Sequence, residues 1–160
     1  MATTAQSSVQ VSNADAVPVV RNHAVDISGK LRVAYFNSVQ SGAGDAGSTV
    51  ELARLPKGRI RIFHDLSRIA FSAFGASRTL NVGLEAYTDI AGDAVAADAS
   101  ALASAVDVSS AGTAKLSEAD DIAQNTLVIS QGGVSVNATV AGGTIPDAAT
   151  LDGWIVYACE

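Results

Sequence analysis

From Leu31 to Tyr87, apolar side chains recur at every second position between clusters of turn-forming residues. The clearest runs are Arg-Ile-Arg-Ile-Phe at 59–63 and Thr-Leu-Asn-Val-Gly-Leu-Glu-Ala-Tyr at 79–87. A period of two sends one set of side chains to a core and leaves the other set free for solvent or a neighbour. The pattern opens at Leu31-Arg-Val-Ala-Tyr-Phe, breaks at a glycine-rich loop over 41–48, and resumes from Val50 to Leu55. Leu-Pro-Lys-Gly-Arg at 55–59 has turn chemistry, because Pro56 presets its φ and Gly58 permits a positive one. It predicts a hairpin that folds 49–55 onto 59–63. Strands over 67–74 and 79–87 follow, with Ile69, Phe71, Ala73, Leu80, Val82 and Leu84 expected in the core.

The second half is less regular. Residues 88–110 are small, acidic and alanine-rich, and Asp98 has the chemistry to cap a short helix running to Ala105. The stretch 113–125 reads as loop, with room for one helical turn after Ser117. Strands resume over 126–130, 134–140 and 151–158, separated by Gly142-Gly143 and Pro146. The uncharged run from Leu127 to Pro146 is long enough to span a bilayer, but it holds four glycines and valines that alternate at 134, 136 and 140. Strand, loop and strand fit it better than a membrane helix. Helical periodicity is too short everywhere for an α/β layer fold. The expectation is all-β: an antiparallel β-sandwich or jelly roll of seven to eight short strands, with one short helix.

Residues 1–29 stand apart. They carry no aromatic residue and only three charges, so they cannot build a core of their own. They are expected to form an extended N-terminal arm that becomes ordered against a neighbouring subunit, leaving 30–160 as a single β-sandwich domain.

Composition points to assembly. Charged residues make up 16% of the 160, against about 25% in ordinary soluble domains. Thirty alanines raise the hydropathy further. Few charges and much apolar surface suit a chain partly covered by other subunits. A net charge of −6 argues against general nucleic-acid binding. The one cysteine, Cys159, leaves no intrachain disulfide, and the first residues lack the features of a signal peptide. Synthesis in a reducing host cytoplasm is expected.

Candidate chemistry is thin. Gly42-Ala-Gly44-Asp-Ala-Gly47 satisfies G-x-G-x-x-G, with Asp65 some twenty residues on, as in a dinucleotide-binding turn. Five residues separate it from the preceding strand, and Pro56 would end the following helix after two turns, so a flexible inter-strand loop is the better account. His23 and His64 lie in no metal-ligand spacing, and no motif supports a Ser-His-Asp set around His64-Asp65. Asp89, Asp93 and Asp98 lack the spacing and closing Glu of a calcium loop, so Asx turns explain them better. Asn137-Ala-Thr139 matches a glycosylation acceptor but falls in an expected strand. No catalytic residue, metal site or cofactor is assigned, and no membrane or small-molecule substrate is expected.

Charge placement says more. Arg54, Lys57, Arg59, Arg61, Arg68 and Arg78 fall within 54–78, where Asp65 is the only acid. Between 85 and 121 stand Glu85, Asp89, Asp93, Asp98, Asp107, Glu118, Asp120 and Asp121, against Lys115 alone. A basic band and an acidic band allow copies of one chain to dock head to tail. The six basic residues are the candidate interface.

Three runs carry a family resemblance: Gly47-Ser-Thr-Val-Glu-Leu-Ala-Arg-Leu-Pro-Lys-Gly-Arg-Ile-Arg-Ile-Phe, Ser77-Arg-Thr-Leu-Asn-Val-Gly-Leu-Glu-Ala-Tyr-Thr-Asp, and Val140-Ala-Gly-Gly-Thr-Ile-Pro-Asp-Ala-Ala-Thr-Leu-Asp-Gly-Trp-Ile-Val-Tyr. Over roughly 47–157 the chain resembles small virion structural proteins of tailed bacteriophages, in particular head decoration (cement) proteins. The resemblance implies a non-enzymatic β-sandwich on the outer capsid surface. Its partners would be the major capsid protein and copies of itself, with a trimer among the candidate oligomers. Alternatives are a tail, fibre or head-to-tail component, and a nucleotide-binding protein using the Gly42–Gly47 loop.

Overall fold

A computed structural model describes residues 12, 15–21, 30–45, 47–117 and 125–159. Among the described residues eleven strands follow in chain order: β1 (Lys30–Val39), β2 (Thr49–Leu55), β3 (Gly58–Phe71), β4 (Thr79–Leu84), β5 (Tyr87–Thr88), β6 (Ala94–Val95), β7 (Asp98–Asp107), β8 (Gly112–Lys115), β9 (Asn125–Ser130), β10 (Val134–Ala141) and β11 (Thr150–Cys159). One sheet runs β1-β11-β3, with β8 and β9 both on the far flank of β3; the other runs β2-β10-β4-β7. Every pairing is antiparallel. The two-residue strands β5 and β6 form a small separate hairpin.

Between β1 and β4 each connection carries the chain from one sheet to the other, and it crosses again into β8, β10 and β11. With β8 and β9 taken as one interrupted strand, four strands face four in jelly-roll order. The all-β expectation holds, and the topology selects the jelly roll. Between the sheets lie Ile60, Ile62, Ile69, Leu80, Leu102, Val128, Val136, Val140 and Ile155, all essentially sealed from solvent. Truncating such a residue to alanine costs about 2–5 kcal/mol.

Several local expectations fail for reasons visible in the packing. The 55–59 turn is present, and Gly58 has φ 108°. However, it turns a corner between sheets: β2 pairs with β10, and β3 pairs with β11, β9 and β8. Turn chemistry fixed the bend, and long-range pairing chose the partners. The strands expected at 59–63 and 67–74 are one strand, β3, interrupted by a bulge. Phe63 faces Val156 and Arg68 faces Trp154, so residues 64–67 stand opposite Ile155 alone. Ile69, Phe71, Leu80, Val82 and Leu84 are buried as expected, but Ala73 is exposed and Phe74 takes the core position.

The helix expected from Asp98 to Ala105 is instead β7, and residues 30–159 hold no helix where described. Alanine favours helix only weakly, and pairing with β4 overrides it. Gly83 makes that pairing possible, because a Cβ there would overlap the Asp98 carbonyl oxygen. Asp98 does cap, but within a strand: its Oδ1 accepts from the Ser100 amide at 2.9 Å. Of the arm, only Ser12 and residues 15–21 fall among the described residues, with Val17, Val19 and Val20 exposed. The helical turn after Ser117 lies outside them from residue 118 on.

Candidate interaction surface

Strand alternation gives each sheet an outward face, and the two faces differ in chemistry. On the β1-β11-β3 sheet, register places Leu31 beside Ala158, Val33 beside Val156, and Tyr35 beside Trp154. Across β3 the same face continues through Arg61, Phe63, Arg68 and Ala70 to Leu127, Asn125, Lys115 and Thr113. An outward sheet face usually alternates to polar residues. Here Tyr35 is 77% exposed, Leu31 59%, Val39 61% and Trp154 39%. Val33, Leu127 and Leu66, the last at the bulge, add to them. Of the exposed large apolar residues described between 30 and 159, Ile90 alone lies elsewhere.

The bulge shapes this face into a cleft of about 520 Å³, bounded by Tyr35, Trp154, Asn37, Arg68, Ala70 and Thr113. Gly153 underlies it, and a Cβ there would overlap the Arg68 carbonyl oxygen and stand 2.8 Å from Phe36 Cζ. The Tyr35 and Trp154 rings form one wall, with centroids 6.4 Å apart and planes tilted by 58°. Most of the bulge's polar groups find partners among the described residues, His64 Nδ1 excepted. Trp154 Nε1 donates to the Leu66 carbonyl at 3.0 Å, and Arg68 donates to the carbonyls of Asp65 and Ser67. Buried Ser67 donates its hydroxyl to the Phe63 carbonyl at 2.7 Å and accepts from the Val156 amide at 2.9 Å. Lys115 Nζ lies 2.9 Å from Asp65 Oδ1. Asn37 donates to Asp152 at the rim. What the cleft offers a partner is therefore apolar area with Arg68 and Asp152 at its margin.

His64 sits under the bulge, with Nε2 2.8 Å from Thr126 Oγ1, and burial pushes its pKa below the ordinary 6.5. Its Nε2 pairs with Thr126 and its Nδ1 is buried without a partner among the described residues, while the Ser67 hydroxyl serves the backbone.

The outward face of β2-β10-β4-β7 is polar, and several of its side chains hydrogen-bond one another, with Asn137 Oδ1 left buried without a partner among the described residues. Arg54 donates twice to Glu51, at 2.6 and 2.9 Å, and Ser135 donates to the same carboxylate at 2.7 Å. Asn137 donates to Glu85 at 2.6 Å, and Asn81 accepts from the Ala105 amide at 2.7 Å. The Arg54 hydrogen bonds, helped by Ser135, pull the Glu51 carboxyl from 4.5 to about 2.

The six basic residues do not gather into one band. Arg59, Arg61 and Arg68 lie on the apolar face, with Arg61 donating to Asn125 at 2.8 Å. Arg54 stands on the opposite sheet, and Lys57 occupies the corner between sheets. Arg78 lies past the far end of β3, against Gly75 and Gly143. The glycine loop at 42–47 leads into strand β2, with no helix N-terminus to meet a phosphate. The Gly42 amide is already donated to Asp147 Oδ1 at 2.7 Å, and Gly44 bridges Ile145. Asp89 closes an Asx turn, accepting from the Ala91 and Asp93 amides at 2.8 and 2.9 Å. Glu118, Asp120 and Asp121 lie outside the described residues. Among the described residues no three of His, Cys, Asp and Glu converge as metal ligands, and no helix is long and apolar enough to cross a membrane.

Reading the sequence for alternation alone missed the apolar face. The signal was available: Val33-Ala-Tyr-Phe and Trp154-Ile-Val-Tyr are apolar at consecutive positions, the mark of a strand covered on both sides.

No protein-family model matches the chain, and no curated protein matches its sequence. Solved structures do share its fold. A chain of the cyanophage Pam1 capsid asymmetric unit superposes with a TM-score of 0.57 at 18% identity, over 92% of this chain and 96% of that one. A chain of the capsid of Ralstonia phage GP4 gives 0.61 at 18% identity, over 84% and 88%. The VP2 subviral particle of infectious bursal disease virus gives 0.53 at 12% identity, over 84% of this chain but 34% of VP2. The jelly roll seen here thus occurs as nearly a whole chain in two phage capsids and as one part of a larger viral protein.

Proposed function

We propose that the protein is a non-enzymatic component of a bacteriophage virion: a decoration, or cement, protein that binds the outer surface of the head and stabilises it. The observation that carries this reading is the near-complete overlap with phage capsid chains of comparable size, in a molecule with one large apolar outward face. Cement needs a rigid body, surface to share with neighbours, and weak contacts multiplied by symmetry. The jelly roll supplies the body, and the face formed by Tyr35, Trp154 and their neighbours supplies the surface. Arg59 and Arg61 lie on that same face and contribute to the contact. The arm, 1–29, reaches a neighbouring subunit, and the partners are the major capsid protein and further copies of this chain.

Purified protein added to undecorated heads should bind in hundreds of copies, counted by cryo-electron microscopy. A handful of copies at one vertex or on the tail would point to a connector or fibre component. Deleting 1–29 should lower head occupancy, and unchanged occupancy would remove the arm from the account. Replacing Arg59 and Arg61 with Glu should weaken binding by reversing charge at the contact face.

A further inference from the structure

We infer that copies of this chain dock head to tail, with the Ile90 tip of one copy seated in the Tyr35–Trp154 cleft of the next. The inference rests on the reading that the protein assembles with itself, and it names the contact.

Among the described residues of 30–159, Ile90 is the exposed large apolar residue that does not belong to the apolar face, and it is 66% exposed. It stands at the tip of the β5–β6 hairpin, between Asp89 and Asp93, on a turn that is already fixed. Asp89 holds the Ala91 and Asp93 amides, its own amide donates to the Asp93 carbonyl at 2.9 Å, and the Gly92 amide donates back to Asp89 at 3.1 Å. A bridge from Asp89 to Ser130 and a 2.9 Å bond from the Gln131 amide to Thr88 pin the hairpin to the body. An apolar side chain presented on a rigid turn loses little conformational entropy on docking.

The cleft is the complementary feature. It is open, apolar on its walls, and large enough for Ile90 together with flanking Ala91. Charge agrees with shape at Arg68: no Lys or Arg occurs between Arg78 and Lys115, so the tip is purely acidic, and Arg68, hydrogen-bonded to backbone carbonyls, lines the cleft, while Asp152 on the rim accepts from Asn37 and Lys115 beside it is paired with Asp65. Seating Ile90 brings Asp93 toward Arg68.

Topology requires two molecules. The hairpin is tied to Ser130, which faces Gly58 at the start of β3, while the cleft lies at Arg68–Ala70 near its end. With the bulge counted as a single position opposite Ile155, about seven strand positions separate them, on the order of 23 Å, so a copy cannot fill its own cleft. A contact between different patches is heterologous, and it repeats until it closes a ring or runs on.

The test uses the full chain. Sedimentation velocity should show self-association that Ile90→Asp weakens about tenfold or more, as expected for an anchor at the centre of a contact. Melting temperature should not change, because Ile90 packs against no core residue. Asp93→Arg should weaken association too. Protein carrying Ile90→Cys, mixed under oxidation with protein carrying Thr113→Cys at the cleft rim, should give a cross-linked pair. Mixing it with Thr49→Cys, on the other sheet, should not. Wild-type protein that stays monomeric, an Ile90→Asp variant that associates normally, or equal cross-linking to both sites would each overturn the inference. Head binding is scored separately: binding without this self-contact sinks the inference and spares the cement reading, and the reverse outcome does the opposite.

Discussion

The two outward faces of the sandwich share one pleated backbone and use it in opposite ways. On β2-β10-β4, polar side chains stand side by side and hydrogen-bond one another, Arg54 and Ser135 to Glu51 and Asn137 to Glu85. On β1-β11-β3, the equivalent positions carry Leu31, Val33, Tyr35 and Trp154, while the polar groups of the bulge turn inward on its own backbone. A face whose hydrogen bonds close on themselves gains little from a partner. A contiguous apolar face leaves area that water covers at a cost until something else does. Fold alone therefore does not decide which side of a jelly roll meets its neighbours; the side chains on the outward half of each strand do.

The largest expected effect comes from removing the cleft. Gly153→Val should force β3 and the Phe36 ring apart and cost about 3 kcal/mol in chemical denaturation, near the upper end for overpacking. Assembly should fail with it. Trp154→Ala separates the two roles: binding should weaken by about 2 kcal/mol, roughly thirtyfold, while stability falls by only about 1 kcal/mol for the lost bond to Leu66. Its counterpart on the polar face, Asn137→Ala, should show the reverse, losing about 1 kcal/mol of stability and nothing in assembly.

Two smaller effects are read by titration. Buried His64 keeps its neutral form below the ordinary 6.5, so the unfolded chain takes up a proton first as pH falls. Its contribution to stability is complete above about 6.5 and is lost on acidification until its lowered pKa is passed. Denaturation curves across that range should steepen this loss in the wild type relative to His64→Gln. Glu51 should titrate by NMR near 2, and Arg54→Ala should return it toward 4.5. Its depressed carboxyl favours the fold above 4.5, an advantage lost as pH falls through about 2. Arg54→Ala should leave the melting temperature almost unchanged, because the pair is exposed.

How much of this was legible in the sequence follows from which interactions are local. Period-two runs marked β2, β9, β10 and β11 within a residue or two and β1 and β4 within three, because alternation is a property of each strand alone. Pro56 and Gly58 marked a bend but not its partner, since pairing β2 with β10 joins residues some eighty positions apart. Alanine-rich 98–105 suggested helix, and only Gly83, on another strand, makes room for β7. The candidate arginines are close in number, yet the corner at 55–59 puts Arg54 and Arg59 on different sheets. The apolar face required knowing which strands lie side by side, and the cleft required the bulge opposite Ile155.

Trp154 is the chain's one tryptophan and stands at the centre of the face in question. Labelled there with 5-fluorotryptophan, the protein should show a fluorine resonance whose solvent-isotope shift is large when dispersed and collapses once it is bound to heads. A resonance that stays equally open to water on the bound protein would contradict the account, because the apolar face would then remain uncovered in the assembly it was proposed to build.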